Sequence, residues 1–177
     1  MIYVIRHGET ELNRLGRMQG RNGLPLNKAG EVQAETLKQL LSATSFDFVY
    51  SSPQERAIQT AAIASGLSPI VDARLDVFDI GEADGLPKEA VIRKGALPDT
   101  SHYRGVEKID TFLKRIFHLL EEASSMGDEK NVLICGHKCT TSAIGAYFNG
   151  IPTDGNLMKY SLSNGEVQTY RWKKIEI

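Results

Sequence analysis

Three short apolar runs, each followed by a helical pattern, constrain this chain more than any other feature of its 177 residues. Residues 1–6 (Met-Ile-Tyr-Val-Ile-Arg) are rich in β-branched side chains and predict a buried strand ending at Arg6. After a Gly- and Asn-rich loop, Asn27 stands where a helix N-cap belongs, ahead of an apolar stripe through Val32, Leu37, Leu40 and Leu41. Residues 46–51 (Phe-Asp-Phe-Val-Tyr-Ser) read as a second strand, and Pro53 suits the first turn of a helix carrying Ala57, Ile58, Ala61 and Ile63. Residues 131–135 (Asn-Val-Leu-Ile-Cys) parallel the first run, and Gly136-His137 sits where that strand gives way to a helix through Ile144 and Phe148. Strand followed by helix, repeated, predicts an α/β fold in layers around a mainly parallel sheet.

The remaining segments fill in this frame. Residues 69–72 predict a short strand, whereas 73–105, with four glycines and two prolines, has no strong period and reads as an insertion lying over the site like a lid. From Val106, the positions Ile109, Leu113, Ile116 and Leu120 return at helical spacing, predicting a helix to about Met126 that Gly127 ends. Near the end, Ser163-Asn164-Gly165-Glu166 is a hairpin-turn signal, and the alternating polarity up to Trp172 predicts an antiparallel edge. The expected architecture is a three-layer α/β/α sandwich, one domain over residues 1–177.

Composition narrows the partners. With 21 basic and 22 acidic side chains the net charge is −1, so no global field draws in nucleic acid or an anionic membrane, and any attraction for anions is local. The opening residues lack the pattern of a secretory signal, and no run approaches the apolar length of a membrane helix; a cytoplasmic location is expected. Oligomeric state leaves no trace in the sequence. Cys135 and Cys139 are too few for a disulfide framework. They flank His137, but no second cluster completes a tetrahedral zinc site, so buried, redox-silent cysteines and no metal are expected.

The chemistry concentrates at the strand ends. Arg6-His7-Gly8-Glu9-Thr10 places an imidazole nucleophile beside a permanent cation. The guanidinium favours the unprotonated form of His7 and can grip phosphoryl oxygens in a bidentate way. Ser51-Ser52-Pro53-Gln54-Glu55-Arg56 puts a second Arg near the start of a helix, where anions are favoured, and His137 supplies a second imidazole at another strand end. These groups are expected to converge on one edge of the sheet, where open α/β folds bind ligands.

The chain resembles the histidine phosphatase superfamily, the group that includes cofactor-dependent phosphoglycerate mutase and α-ribazole and broad-specificity phosphatases. The likeness runs over nearly the whole length: Ile5-Arg6-His7-Gly8-Glu9-Thr10 with Asn13, Gly16-Arg17-Met18-Gln19-Gly20, Pro25-Leu26 with Gly30, Gln33 and Ala34, then Ser51-Ser52-Pro53, Arg56-Ala57 and Gln59-Thr60-Ala61. The resemblance implies that His7 becomes the phosphohistidine and that Arg6, Arg56 and His137 line the phosphate pocket. It implies that Asn13, Gln19 and Gly20 hold the substrate, and that water hydrolyses the phosphoenzyme. With side chains doing the electrostatic work, neither a metal nor a cofactor is implied.

Two positions depart from the family pattern. The general acid is usually the carboxylate of a stretch Leu-x-Glu-x-x-x-Gly-x-x-x-Gly; here Leu75, Gly81 and Gly85 keep the register, and Val77 stands at the carboxylate position. Glu82 or Asp79 is the expected substitute, with Glu82 favoured for its longer reach. Lys138 follows His137 where the family often has Gly, and facing the pocket it would meet a second phosphate or a carboxylate. His102 lies in the insertion and could touch substrate, whereas His118 reads as an ordinary helix residue. The expected activity is hydrolysis of a small phosphorylated metabolite, a phosphate monoester. A phosphoglycerate mutase, or a phospholigand-binding protein that lost the acid, are the alternatives.

Overall fold

The computed structural model describes residues 1–127 and 129–172. In chain order its elements are β1 (Ile2–Arg6), a one-turn α1 (Glu11–Arg14), α2 (Lys28–Leu40), β2 (Phe48–Ser51), α3 (Glu55–Ser65), β3 (Ile70–Val71), a small hairpin of β4 (Arg93–Lys94) and β5 (Leu97–Pro98), α4 (Ile109–Ser124), β6 (Val132–Gly136), α5 (Lys138–Asn149) and β7 (Val167–Tyr170). The main sheet has the order β3-β2-β6-β1-β7, parallel except for β7, which runs antiparallel on β1.

Alternation along the buried strands divides the core. Ile2, Val4, Tyr50, Val132 and Ile134 face one cluster with Phe112, Ile116 and Leu120 of α4 and Ile144 of α5. Ile5, Val49, Leu133 and Cys135 face the other, with Leu37 of α2 and Ala57 and Ala61 of α3. Because both faces are apolar, both are covered by helices, which is the three-layer arrangement the strand patterns predict.

Several local expectations change. Val32 and Leu40, expected in the stripe of α2, are 56% and 67% exposed, and the buried face is Gly30, Ala34, Leu37 and Leu41 instead. Glycine and alanine add little to an apolar stripe, yet they are what let α2 approach closely. Pro53 precedes the N-cap Gln54 and lies outside α3. The inner face of α3 is small and polar, with Arg56 and Thr60 buried beside Ala57, Ala61 and Ala64. Helix α4 stops at Ser124 rather than Met126. The turn at Gly165 leads into β7, but no strand precedes it to complete a hairpin. There the Leu162 amide donates to Thr141 Oγ1 and its carbonyl accepts from Arg6 Nη1, so side chains occupy groups a ladder would need.

The segment 73–105 is joined to the first loop by backbone bonds. The Met18 amide donates to the Leu86 carbonyl, Gly85 to Met18, and Lys88 to Gly16, with Arg17 opposite Pro87. At its other end, Arg115 of α4 forks onto Glu107, donates to the carbonyls of Arg74, Asp76 and Val77, and stacks on Phe112. Among the described residues no helix is long and apolar enough to cross a membrane.

The loop after β1 is clamped by α2. The Glu9 amide donates to Gln33 Oε1, the Asn27 amide to the Glu9 carbonyl, and Gly8 packs directly on Gly30. A Cβ at Gly30 would run into the Glu9 carbonyl oxygen, a backbone atom that cannot swing aside. Gly30→Ala is therefore expected to cost about 1–3 kcal/mol through overpacking, read as a lower midpoint of urea denaturation.

Candidate active site

Strand register builds the site. In the parallel ladder of β1 and β6, Arg6 is paired with Gly136, so the next residue of each strand, His7 and His137, emerge side by side. The His7 amide donates to the Gly136 carbonyl at 3.0 Å, and the two imidazole centroids are 5.1 Å apart. On the other flank of β6, Ser51 pairs with Cys135, and one residue on, Ser52 Oγ lies 2.7 Å from His137 Nε2. The first turn of α3 then brings in Arg56. The chain thus gathers Arg6, His7, Arg56 and His137 at the carboxyl edge of the sheet.

These groups are held away from bulk water, and burial governs their charge. His7 and His137 are both buried, and burial pushes each imidazole well below the ordinary 6.5, with Arg56 as the next cause in both. Both rings are therefore neutral at neutral pH. His7 Nδ1 lies 2.7 Å from the Gly8 carbonyl, which can only accept, so Nδ1 carries the proton and Nε2 keeps its lone pair. Desolvation also draws the Arg6 and Arg56 guanidiniums down to about 10, where they remain cations at pH 7. Arg6 Nε, Arg56 Nε and His137 Nδ1 are buried without a hydrogen-bond partner among the described residues. Such groups are costly to leave unmatched and suit an acceptor-rich anion.

A cleft of about 310 Å³, within the range of small-molecule sites, is lined by Arg6, His7 and His137, while Arg56 is buried and does not line it. Asn13 and Gln19 line it, as does Lys138 at the start of α5. Gln19 Oε1 is occupied by Thr10 Oγ1 and the Leu24 amide, which leaves its amide nitrogen as the donor. Gly20 does not line the cleft: its carbonyl accepts from Arg56 Nη2 at 3.0 Å and its amide donates to Asp84, so it holds Arg56 rather than facing a ligand. Cys139 lines the cleft and its thiol is pushed up to about 11 by burial, while Cys135 is fully buried. No cluster of three His, Cys, Asp or Glu suited to a metal occurs among the described residues.

The acid position is where expectation and structure part. Val77 lines the cleft, its backbone fixed by the Arg115 fork and by its own amide bond to Asp76 Oδ1. Glu82 does not reach in; it is exposed, engages the Arg104 amide and guanidinium, and those bonds hold its carboxyl below the usual range. Asp79 is taken by the Gly81 amide and by Arg21 at 3.3 Å. The loop that carries both is bent back at Gly81, so reach along the chain did not translate into reach toward the site. Among the described residues no carboxylate lines the cleft. His102 also stays outside, beside Asp99 and Ser101, and His118 sits on α4 next to Arg74.

Other contributors escaped the sequence reading. Ser52 orients His137, Thr60 Oγ1 accepts from the Gly8 amide, and Asn164 donates to the carbonyls of His7 and Gly8 and to Asn13. Asn164 lies in the turn signal at residues 163–166, which carries no mark of these contacts. Arg17, Lys88 and Arg93 add three cations to the cleft. Arg17 belonged to a recognised motif, whereas Lys88 and Arg93 stand in a stretch with no period to mark them.

The chain is similar to known proteins over nearly its whole length. A family model described as the histidine phosphatase superfamily (branch 1) matches residues 2–176. The uncharacterized phosphatase PhoE of Bacillus subtilis is 29% identical, with 97% of this chain and 91% of the relative covered. The structure of the alpha-ribazole phosphatase from Shigella flexneri superposes with a TM-score of 0.79 at 25% identity, over 94% of this chain and 87% of that one. A phosphoglycerate mutase structure from Thermus thermophilus gives 0.70 at 27% identity, over 94% and 90%.

The two depressed histidines make stability depend on pH with a definite sign. Their folded values lie below the ordinary 6.5, so the unfolded chain takes up protons first; the stability from burying neutral rings is full above about 6.5 and is lost as pH falls below it. Urea midpoints measured without phosphate should therefore drop between pH 7.5 and 5.5. The slope in that window should be shallower in His137→Gln by up to about 1.4 kcal/mol per pH unit. An unchanged slope would show that His137 is not buried neutral.

Proposed function

The chain belongs to the histidine phosphatase superfamily, branch 1, and on that premise we propose that it is a metal-independent phosphatase that hydrolyses small phosphate monoesters through a phosphohistidine on His7. The observation that carries this reading is the pairing of His7 and His137 at 5.1 Å beside Arg6 and Arg56. In this reading His7 Nε2, bearing its lone pair, attacks phosphorus in line with the leaving oxygen. Arg6, Arg56 and His137 meet the charge spread over the equatorial oxygens, the role that metal ions fill in many phosphoryl transferases. Asn13 and Gln19 position the substrate, and Lys138 meets a second anionic group. Water then displaces the phosphoryl group from nitrogen.

Side-chain nitrogens that are buried and unmatched support a dianionic ligand at this spot. A non-catalytic binder would keep these contacts but would not acquire phosphate. Incubation with a reactive aryl phosphate, acid-free quench and intact-mass analysis is expected to show one acid-labile phosphoryl group on the wild type and none on His7→Ala, with turnover of the variant at background. A mutase would be revealed by conversion of 3-phosphoglycerate that depends on a bisphosphate primer.

Val77 supports a second expectation, about leaving groups. Among the described residues no carboxyl lines the cleft, so no carboxylic acid is at hand to protonate a departing oxygen. Val77→Glu should raise kcat/KM for an alkyl phosphate toward the about 10²–10⁴-fold that a general acid contributes, with much less change for an aryl phosphate. Equal effects on both substrates would count against a missing acid.

A further inference from the structure

One property of the cleft is not used by a single phosphoryl group. Arg6, Arg17, Lys88, Arg93 and Lys138 all line it, no carboxylate does, and none of the five is in an ion pair among the described residues. Three are braced by neutral acceptors: Arg6 by the Leu162 carbonyl, Arg17 by the Gly85 carbonyl at 2.7 Å, and Arg93 by the carbonyls of Ala96 and Lys88. Lys88 feels burial first and then Arg6, Lys138 and Arg93, which lower its affinity for a proton, so these cations crowd one another. Such crowding is unfavourable unless anions share the space. Arg6 and Arg56 account for the transferring group; Arg17, Lys88, Arg93 and Lys138 remain for what departs.

Val77 also lines the cleft, so no carboxylic acid stands at that position to protonate a leaving alkoxide. Excess positive charge without a carboxylic acid suits a leaving group that departs as an anion already stable in water. We propose that this site cleaves phosphoanhydrides, with the terminal phosphoryl group of a diphosphate passing to His7 and the leaving phosphate received by Arg17, Lys88, Arg93 and Lys138. The proposal rests on the phosphohistidine reading above.

The step balances as follows. From the monoprotonated diphosphate, the His7 Nε2 lone pair forms the N–P bond while the bond from phosphorus to the bridging oxygen breaks, its electron pair leaving on that oxygen. The departing phosphate already carries the substrate's proton, leaves as the hydrogenphosphate dianion and needs no further proton. Water then forms a P–O bond as the P–N bond breaks and its pair returns to Nε2. One water proton stays on the new P–OH and the other passes to a phosphoryl oxygen, giving dihydrogen phosphate and neutral imidazole.

The test compares inorganic pyrophosphate, p-nitrophenyl phosphate and glucose 6-phosphate on the wild type, in the presence of a chelator. The expected result is a kcat/KM for pyrophosphate within about tenfold of the aryl ester and at least about 10²-fold above the sugar phosphate. The double variant K88Q/R93Q should lower the pyrophosphate-to-aryl ratio about tenfold or more; should it fail to fold, Lys88→Gln alone should lower that ratio measurably. Aryl hydrolysis without pyrophosphate cleavage, a sugar phosphate as fast as the aryl ester, or an unchanged ratio in the folded variant would overturn the proposal and leave the phosphatase reading standing. No turnover of any substrate, with no phosphate on His7, would remove the phosphatase reading itself.

Discussion

The site depends on the parallel pairing of β1 with β6. Because Arg6 is registered against Gly136, the chain needs no further device to set two imidazoles side by side. A one-residue slip would turn one of them to the opposite face of the sheet, and the alternating burial of Ile2, Val4, Val132 and Ile134 against α4 and α5 opposes that slip. Core packing and catalytic geometry are therefore the same constraint seen from two sides of the strand.

Around that pairing the fold collects charge it cannot neutralise by itself. Burial and the neighbouring guanidiniums keep both histidines unprotonated, which preserves a ring-nitrogen lone pair while leaving several polar nitrogens unmatched. The backbone supplies the restraint: carbonyls of Gly8, Gly20 and Leu162 hold His7, Arg56 and Arg6 in place. Neutral acceptors fix orientation without cancelling the field, so the electrostatic potential remains directed at the cleft.

Much of this was legible in the sequence, and the reasons differ by element. The strands β1, β2 and β6 and the N-cap at Asn27 follow from local chemistry, as does the antiparallel edge at β7. The convergence of Arg6, His7, Arg56 and His137 could be read because Arg6, His7 and His137 sit where apolar runs end and Arg56 lies in the first turn of the helix after another. The buried face of α2 could not, since glycine and alanine carry little apolar signal although they set its packing distance. Glu82 and Asp79 were misplaced because the fold of 73–105 is decided by long-range partners, Arg104 and Arg21 among them. Lys88 and Arg93 were invisible for the same reason.

The backbone lacing between residues 16–18 and 85–88 has a consequence for inheritance. Arg17 and Lys88 ride on two strips of chain joined amide to carbonyl, so neither cation can be repositioned alone. An insertion or deletion in residues 73–105 would displace the tethered neighbour in the first loop at the same stroke, whereas Arg6, His7 and His137, rooted in the sheet, would stay where they are. Selectivity and reactivity can then diverge on separate evolutionary clocks within one small protein.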